Sequence, residues 1–74
     1  MLDACILIKT VPTKIEEILT SIKKINVIKK AYIVLGRWDI VAFIETSDYK
    51  QLKTLTGEIN SLDGVRSTET LAST

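Results

Sequence analysis

Histidine is absent from the 74 residues of this chain, and cysteine and proline occur once each. Without histidine the commonest acid–base group of enzymes is missing. A single cysteine, Cys5, cannot close a disulfide within the chain, and no Cys/His set can hold a metal. An excess of one charge is missing too. Ten basic residues face nine acidic ones, a formal net charge of +1, which excludes a nucleic-acid binder that grips through a strong positive field. Long hydrophobic runs are absent as well. The longest near the N-terminus, Ala4–Ile8, is too short for a signal peptide or a membrane span. The expected location is cytoplasmic, with no membrane partner.

Other absences narrow the chemistry further. No paired carboxylates stand at a useful spacing, and the Thr10–Lys14 loop lacks the glycines that an acylphosphatase-like phosphate cradle requires. An enzyme is not expected, nor a cofactor. RNA binding on a β-sheet needs aromatics on the central strands, and the expected central strands carry only Phe43. Cys5 sits in an apolar run with no histidine to activate it, so it reads as a small hydrophobe.

What the chain does have is an internal repeat. At an offset of 37 residues, Ile25–Lys30 overlays Leu62–Ser67, and Cys5–Ile8 overlays Ala42–Glu45. Each half reads strand, helix, strand. Two such halves in one small domain, residues 1–74, predict an α+β ferredoxin-like βαββαβ fold, with a four-stranded antiparallel sheet and two helices on one face. Ile15, Ile18, Leu19, Ile22 and Ile25 form the apolar stripe of the first helix. Thr13 and Glu16 fit a capping box at its start. Leu52, Leu55, Ile59 and Leu62 form the stripe of the second, with Asp48 as N-cap. Gly57 lies inside this second helix. It is either a tolerated weak spot or a site of close packing.

The expected strands are apolar on both sides. Ala4, Ile6 and Ile8 alternate with Cys5 and Leu7, and Ile40, Ala42 and Ile44 alternate with Val41 and Phe43. Helices cover one face of such a sheet, and a face left to water should be polar. A second subunit packed sheet to sheet is the expected cover.

Most of the chain's distinctive chemistry is concentrated in Gly36-Arg37-Trp38-Asp39, a turn between the apolar runs Ala31–Leu35 and Ile40–Glu45. Glycine supplies the positive φ of a short hairpin. Arg37 can fork onto a carboxylate or stay a solvated charge. Trp38 can wall a pocket or sit in an interface or core. Asp39 can bind an ammonium or accept the N–H groups of its own turn. Further on, Asp63-Gly64 opens a turn before the hydroxyl-rich run Arg66-Ser67-Thr68-Glu69-Thr70. That run is either a polar edge strand or a set of short donors lining a pocket.

Taken together, Ala4–Thr10, the turn Gly36–Ile40 and the segment Leu62–Thr70 resemble the RAM domain of Lrp/AsnC (feast/famine) transcription regulators. The Gly-x-aromatic-Asp turn before an apolar strand and the Gly-Val-x-x-Thr segment carry most of the likeness. The resemblance implies homodimers joined through their sheets and gathered into octameric or similar rings. It implies a free amino acid or related effector held between subunits. Carried over to this sequence, the ligand-binding residues are Gly36, Arg37, Trp38, Asp39, Arg66, Ser67 and Thr68. The helix-turn-helix domain of such regulators has no counterpart here, so the sequence resembles a stand-alone RAM module. It is expected to influence transcription regulation without binding DNA itself. A purely structural role, co-assembling with full-length Lrp/AsnC regulators, is the alternative.

Overall fold

The structure, a computed structural model, describes residues 2–72. Strand β1 (Leu2–Thr10) leads through a 3-10 turn (Pro12–Lys14) into helix α1 (Ile15–Lys23). Strands β2 (Ile28–Ile33) and β3 (Ile40–Thr46) follow, then helix α2 (Tyr49–Asn60) and strand β4 (Val65–Ala72). The strands lie in the order β2-β3-β1-β4, and every neighbouring pair is antiparallel. This is the ferredoxin-like βαββαβ arrangement expected from the repeat.

The sheet face under the helices is the core. Ile6, Ile8, Ile40, Ala42 and Ile44 project from the two central strands and are all but fully buried. Ile18 and Ile22 of α1 and Leu52, Leu55 and Ile59 of α2 close over them. These are stripe positions at helical spacing, so burial of one face holds each helix on the sheet.

The repeat is visible in the backbone bonds. Ile25 N–H donates to Ile22 O at 3.0 Å, and Leu62 N–H to Ile59 O at 3.1 Å. Ile28 N–H donates to Ile25 O at 3.1 Å, and Val65 N–H to Leu62 O at 3.2 Å. Both pairs are related by the offset of 37 seen in the sequence. The strands do not keep that offset. Cys5 lies on the face away from the helices, whereas Ala42, its proposed counterpart, is buried under them. Side chains alternate along a strand, so a one-residue slip exchanges the two faces. The strand overlay is therefore one residue out of step. Thr10 and Thr46, the buried last residues of β1 and β3, are the matching positions, 36 residues apart.

Asp48 caps α2 as expected, its Oδ1 accepting the Gln51 N–H at 2.8 Å. Gln51 Oε1 in turn accepts the Ser47 N–H at 2.9 Å. The capping box of α1 does not form. Pro12 starts the 3-10 turn, in which the Lys14 N–H donates to Val11 O at 2.9 Å, and Thr13 lies inside that turn. Lys14 becomes the N-cap of α1, and no side chain caps there. Strand bounds also differ from expectation. β2 begins earlier and ends at Ile33, while Leu35 stands fully exposed beyond the ladder. β3 extends one residue further, to Thr46.

The face without helices carries Cys5, Leu7, Val41, Phe43, Tyr32 and Leu71 as cross-strand neighbours. Tyr32 and Phe43 meet edge to face, with ring centroids 6.4 Å apart. Phe43, Tyr32 and Leu71 remain 44%, 48% and 50% exposed, a contiguous apolar surface across all four strands. No helix among the described residues is long and apolar enough to cross a membrane.

Candidate ligand site

The hairpin between β2 and β3 is closed by the Val34 N–H, which donates to Asp39 O at 2.9 Å. Gly36 adopts φ 119° at its tip, as its place in the turn predicts, and open space surrounds it. The base of the hairpin is fastened to β1. Asp39 N–H donates to Ile8 O at 2.9 Å, and Asp39 Oδ2 accepts the Thr10 N–H at 2.9 Å. The carboxylate thus extends the β1·β3 pairing by one bond made through a side chain. It is half-buried, and one of its oxygens is oriented by the backbone of a central strand. A charge-assisted bond of this kind is stronger than a neutral one.

The start of β4 reaches the same end of the sheet from the other side of β1. Val11 N–H donates to Gly64 O at 2.8 Å, Thr10 pairs with Val65, and Lys9 pairs with Ser67. The register shifts by one between these pairs, which places Arg66 in a bulge. Gly64 has φ 99°, and a Cβ there would stand 2.8 Å from Lys14 Cβ. This glycine is needed both for its backbone conformation and for the close approach of α1.

The expected site residues therefore separate into two groups. Gly36, Arg37, Trp38 and Asp39 share the hairpin, with Trp38 and Asp39 half-buried and Arg37 exposed. Arg66 and Ser67 lie nearby, one strand across. Thr68 turns the other way: its Oγ1 donates to Asn60 Oδ1 on α2 at 3.2 Å. Thr70 likewise meets Thr56 of α2, oxygen to oxygen at 3.3 Å. These two threonines fasten α2 to the sheet edge, because alternate residues of a strand face opposite sides.

The sequence reading overlooked Lys9. Its Nζ donates to Arg37 O at 3.0 Å, tying the hairpin tip to β1 from the face without helices. The available signal was a lysine following the apolar run Ala4–Ile8 in phase with Cys5 and Leu7. Thr10 Oγ1 is the other polar feature here, a buried hydroxyl oxygen without a hydrogen-bond partner among the described residues. Clefts of about 310, 500, 160 and 320 Å³ open elsewhere on the chain, and none of the four is lined by a residue of either group.

Comparison with known proteins identifies the domain. No curated protein sequence matches the chain. A crystal structure from Thermus thermophilus superposes with a TM-score of 0.96 at 29% identity, covering 100% of this chain and 94% of that one. Escherichia coli AsnC superposes at 0.89 with 22% identity, over 97% of this chain and 50% of its own. A Neisseria meningitidis transcriptional regulator in complex with L-Met superposes at 0.87 with 16% identity, over 99% of this chain and 49% of its own. The chain thus spans about half the length of these two regulators. The family model of the Lrp/AsnC ligand binding domain matches residues 3–74, and the chain belongs to that family.

Proposed function

We propose that this domain binds a free amino acid between subunits and that binding shifts its assembly. The observation that carries the reading is the Asp39 carboxylate. Oδ2 is held by the Thr10 N–H, and the second oxygen of the carboxylate retains lone pairs for a ligand ammonium. Backbone N–H groups around Gly36, together with Ser67 or an arginine, receive the ligand carboxylate, and Trp38 bounds its side chain. The L-Met held by the Neisseria regulator supports this ligand class. Thr68, which faces α2 within this chain, contributes to the β4 segment rather than to the ligand.

The exposed apolar sheet face supports a sheet-to-sheet dimer. Such dimers gather into an octamer or a similar ring, and the site is completed where subunits meet. Ligand bound at a joint favours the assembly that contains the joint by mass action. The domain acts on transcription regulation through its ligand and its protein partners rather than by gripping DNA. A thermal-shift screen against the twenty amino acids, followed by sedimentation velocity with and without each hit, tests this. A saturable stabilisation and a changed sedimentation profile are expected. Twenty flat responses would exclude amino acids as effectors.

A second reading has an observation of its own. The fold superposes on half of full-length AsnC, so a structural subunit that enters rings of full-length regulators is also consistent. Co-expression with a full-length regulator and a pull-down would distinguish it, through mixed assemblies that form without any ligand response.

A further inference from the structure

The end of the sheet that holds the hairpin carries two opposite charges that do not pair with each other. Lys9 extends from β1 on the open face, in phase with Cys5 and Leu7 and opposite Ser67 of β4. Asp39 lies at the head of β3, where its N–H pairs with Ile8, the residue before Lys9. Here the ammonium is committed to Arg37 O at 3.0 Å and the carboxylate to the Thr10 N–H at 2.9 Å. The ion pairs within 4.0 Å among the described residues include Lys14 with Glu17 and with Asp63, but not Lys9 with Asp39.

Each charge is therefore oriented by a backbone group and keeps binding capacity. An ammonium has three donors, and Lys9 uses one on Arg37. A carboxylate has two oxygens, and Thr10 engages one. An anchored cation and an anchored anion at the same end of the sheet offer partners to a molecule that carries an ammonium and a carboxylate on one carbon. Because both side chains are already ordered, little further rotamer entropy is lost when such a ligand binds.

We propose that Lys9 is the carboxylate-binding residue of this site, acting opposite Asp39, which takes the ammonium. The inference rests on the amino-acid reading above and adds a specific charged side chain to its backbone donors. It also makes the site selective. An amine without a carboxylate leaves Lys9 unanswered, and a carboxylic acid without an amine leaves Asp39 unanswered. A carboxylate at Lys9 takes a donor that Arg37 O leaves free, so the bond that ties the hairpin tip to β1 is kept.

The test is calorimetry with wild type, Lys9→Gln and Lys9→Arg. The probes are the twenty free amino acids and the carboxamide of each one that binds wild type. Wild type is expected to prefer the acid over its carboxamide. Lys9→Gln should bind the acid about tenfold more weakly or worse, and should lose most of that preference. Lys9→Arg should restore both in part. Acid binding by Lys9→Gln within about twofold of wild type, or an unchanged preference for the acid, overturns the assignment of Lys9 and leaves the amino-acid reading standing. Wild type that binds none of the twenty overturns both together.

Discussion

Asp39 and Thr10 are joined across the end of the sheet by a side chain, the Oδ2 of one accepting the backbone N–H of the other at 2.9 Å. The same carboxylate thus serves the fold and is available for a ligand, and two substitutions separate these roles. Asp39→Asn keeps an oxygen for the Thr10 N–H and removes the charge. It should fold with nearly wild-type stability and lose amino-acid binding. Asp39→Ala leaves the Thr10 N–H without its acceptor and should cost about 1–3 kcal/mol. Urea denaturation beside a binding assay checks both. Equal stability losses in the two variants would mean that the charge, and not the bond, holds the hairpin.

The two helix-side glycines should respond in opposite directions. A Cβ at Gly57 meets nothing within 4 Å. The substitution Gly57→Ala should therefore stabilise the protein by about 1 kcal/mol through helix propensity alone. Gly64→Ala should destabilise it by about 1–3 kcal/mol, because it imposes positive φ on alanine and presses Lys14 and Ile18. Thermal melts of the two variants should move to either side of wild type. A melting point for Gly57→Ala below that of wild type would show that something does pack there.

These contrasts indicate what a sequence of this kind discloses. The helix stripes of Ile18, Ile22, Leu55 and Ile59 were legible because burial against a sheet enforces helical spacing. The two-sided strands were legible because both faces of Cys5–Ile8 and Val41–Ile44 are apolar. The start of α1 was misread because Thr13 and Glu16 have the right spacing, while Pro12 commits the chain to a 3-10 turn. The Asp39 carboxylate accepts the Thr10 N–H, 29 residues away, instead of a donor of its own turn, so only the turn conformation of Gly36 was local and readable within the site. The part played by Lys9 was not, since its partner is a carbonyl 28 residues away. The partner of Thr68 was equally hidden, as face alternation alone turns it toward Asn60.

The open sheet face gives a prediction that is independent of any ligand. Phe43 is 44% exposed beside Tyr32 at the centre of this surface. Phe43→Lys places a charge where a second subunit would exclude water, and that burial without a partner is costly. Sedimentation should show wild type as a dimer or larger and Phe43→Lys shifted toward monomer, with the far-ultraviolet circular dichroism retained. Monomeric wild type at micromolar concentration would contradict the sheet-to-sheet dimer.

Lys14 links the start of α1 to Glu17 at 3.2 Å and to the Asp63 turn at 3.3 Å. Hydrogen bonds that it donates to Glu17 and then to Asp63 raise its pKa above the ordinary lysine value. The folded pKa lies above the unfolded one, so this contribution is complete below the unfolded value and is lost as pH rises through the folded value. Urea midpoints of wild type and Lys14→Met should therefore differ at neutral pH and converge above the lysine range. High salt should narrow the neutral-pH difference, because both carboxylates are exposed. A difference that persists undiminished in strong alkali would assign it to packing of the lysine stem.

Calorimetric titration of wild type and Asp39→Asn with the twenty amino acids, at a protein concentration where the assembly is intact, tests the central claim most directly. The account predicts saturable heat from at least one amino acid with wild type and none from that amino acid with Asp39→Asn. No heat from any of the twenty with wild type, or equal affinity in the two proteins, would contradict it.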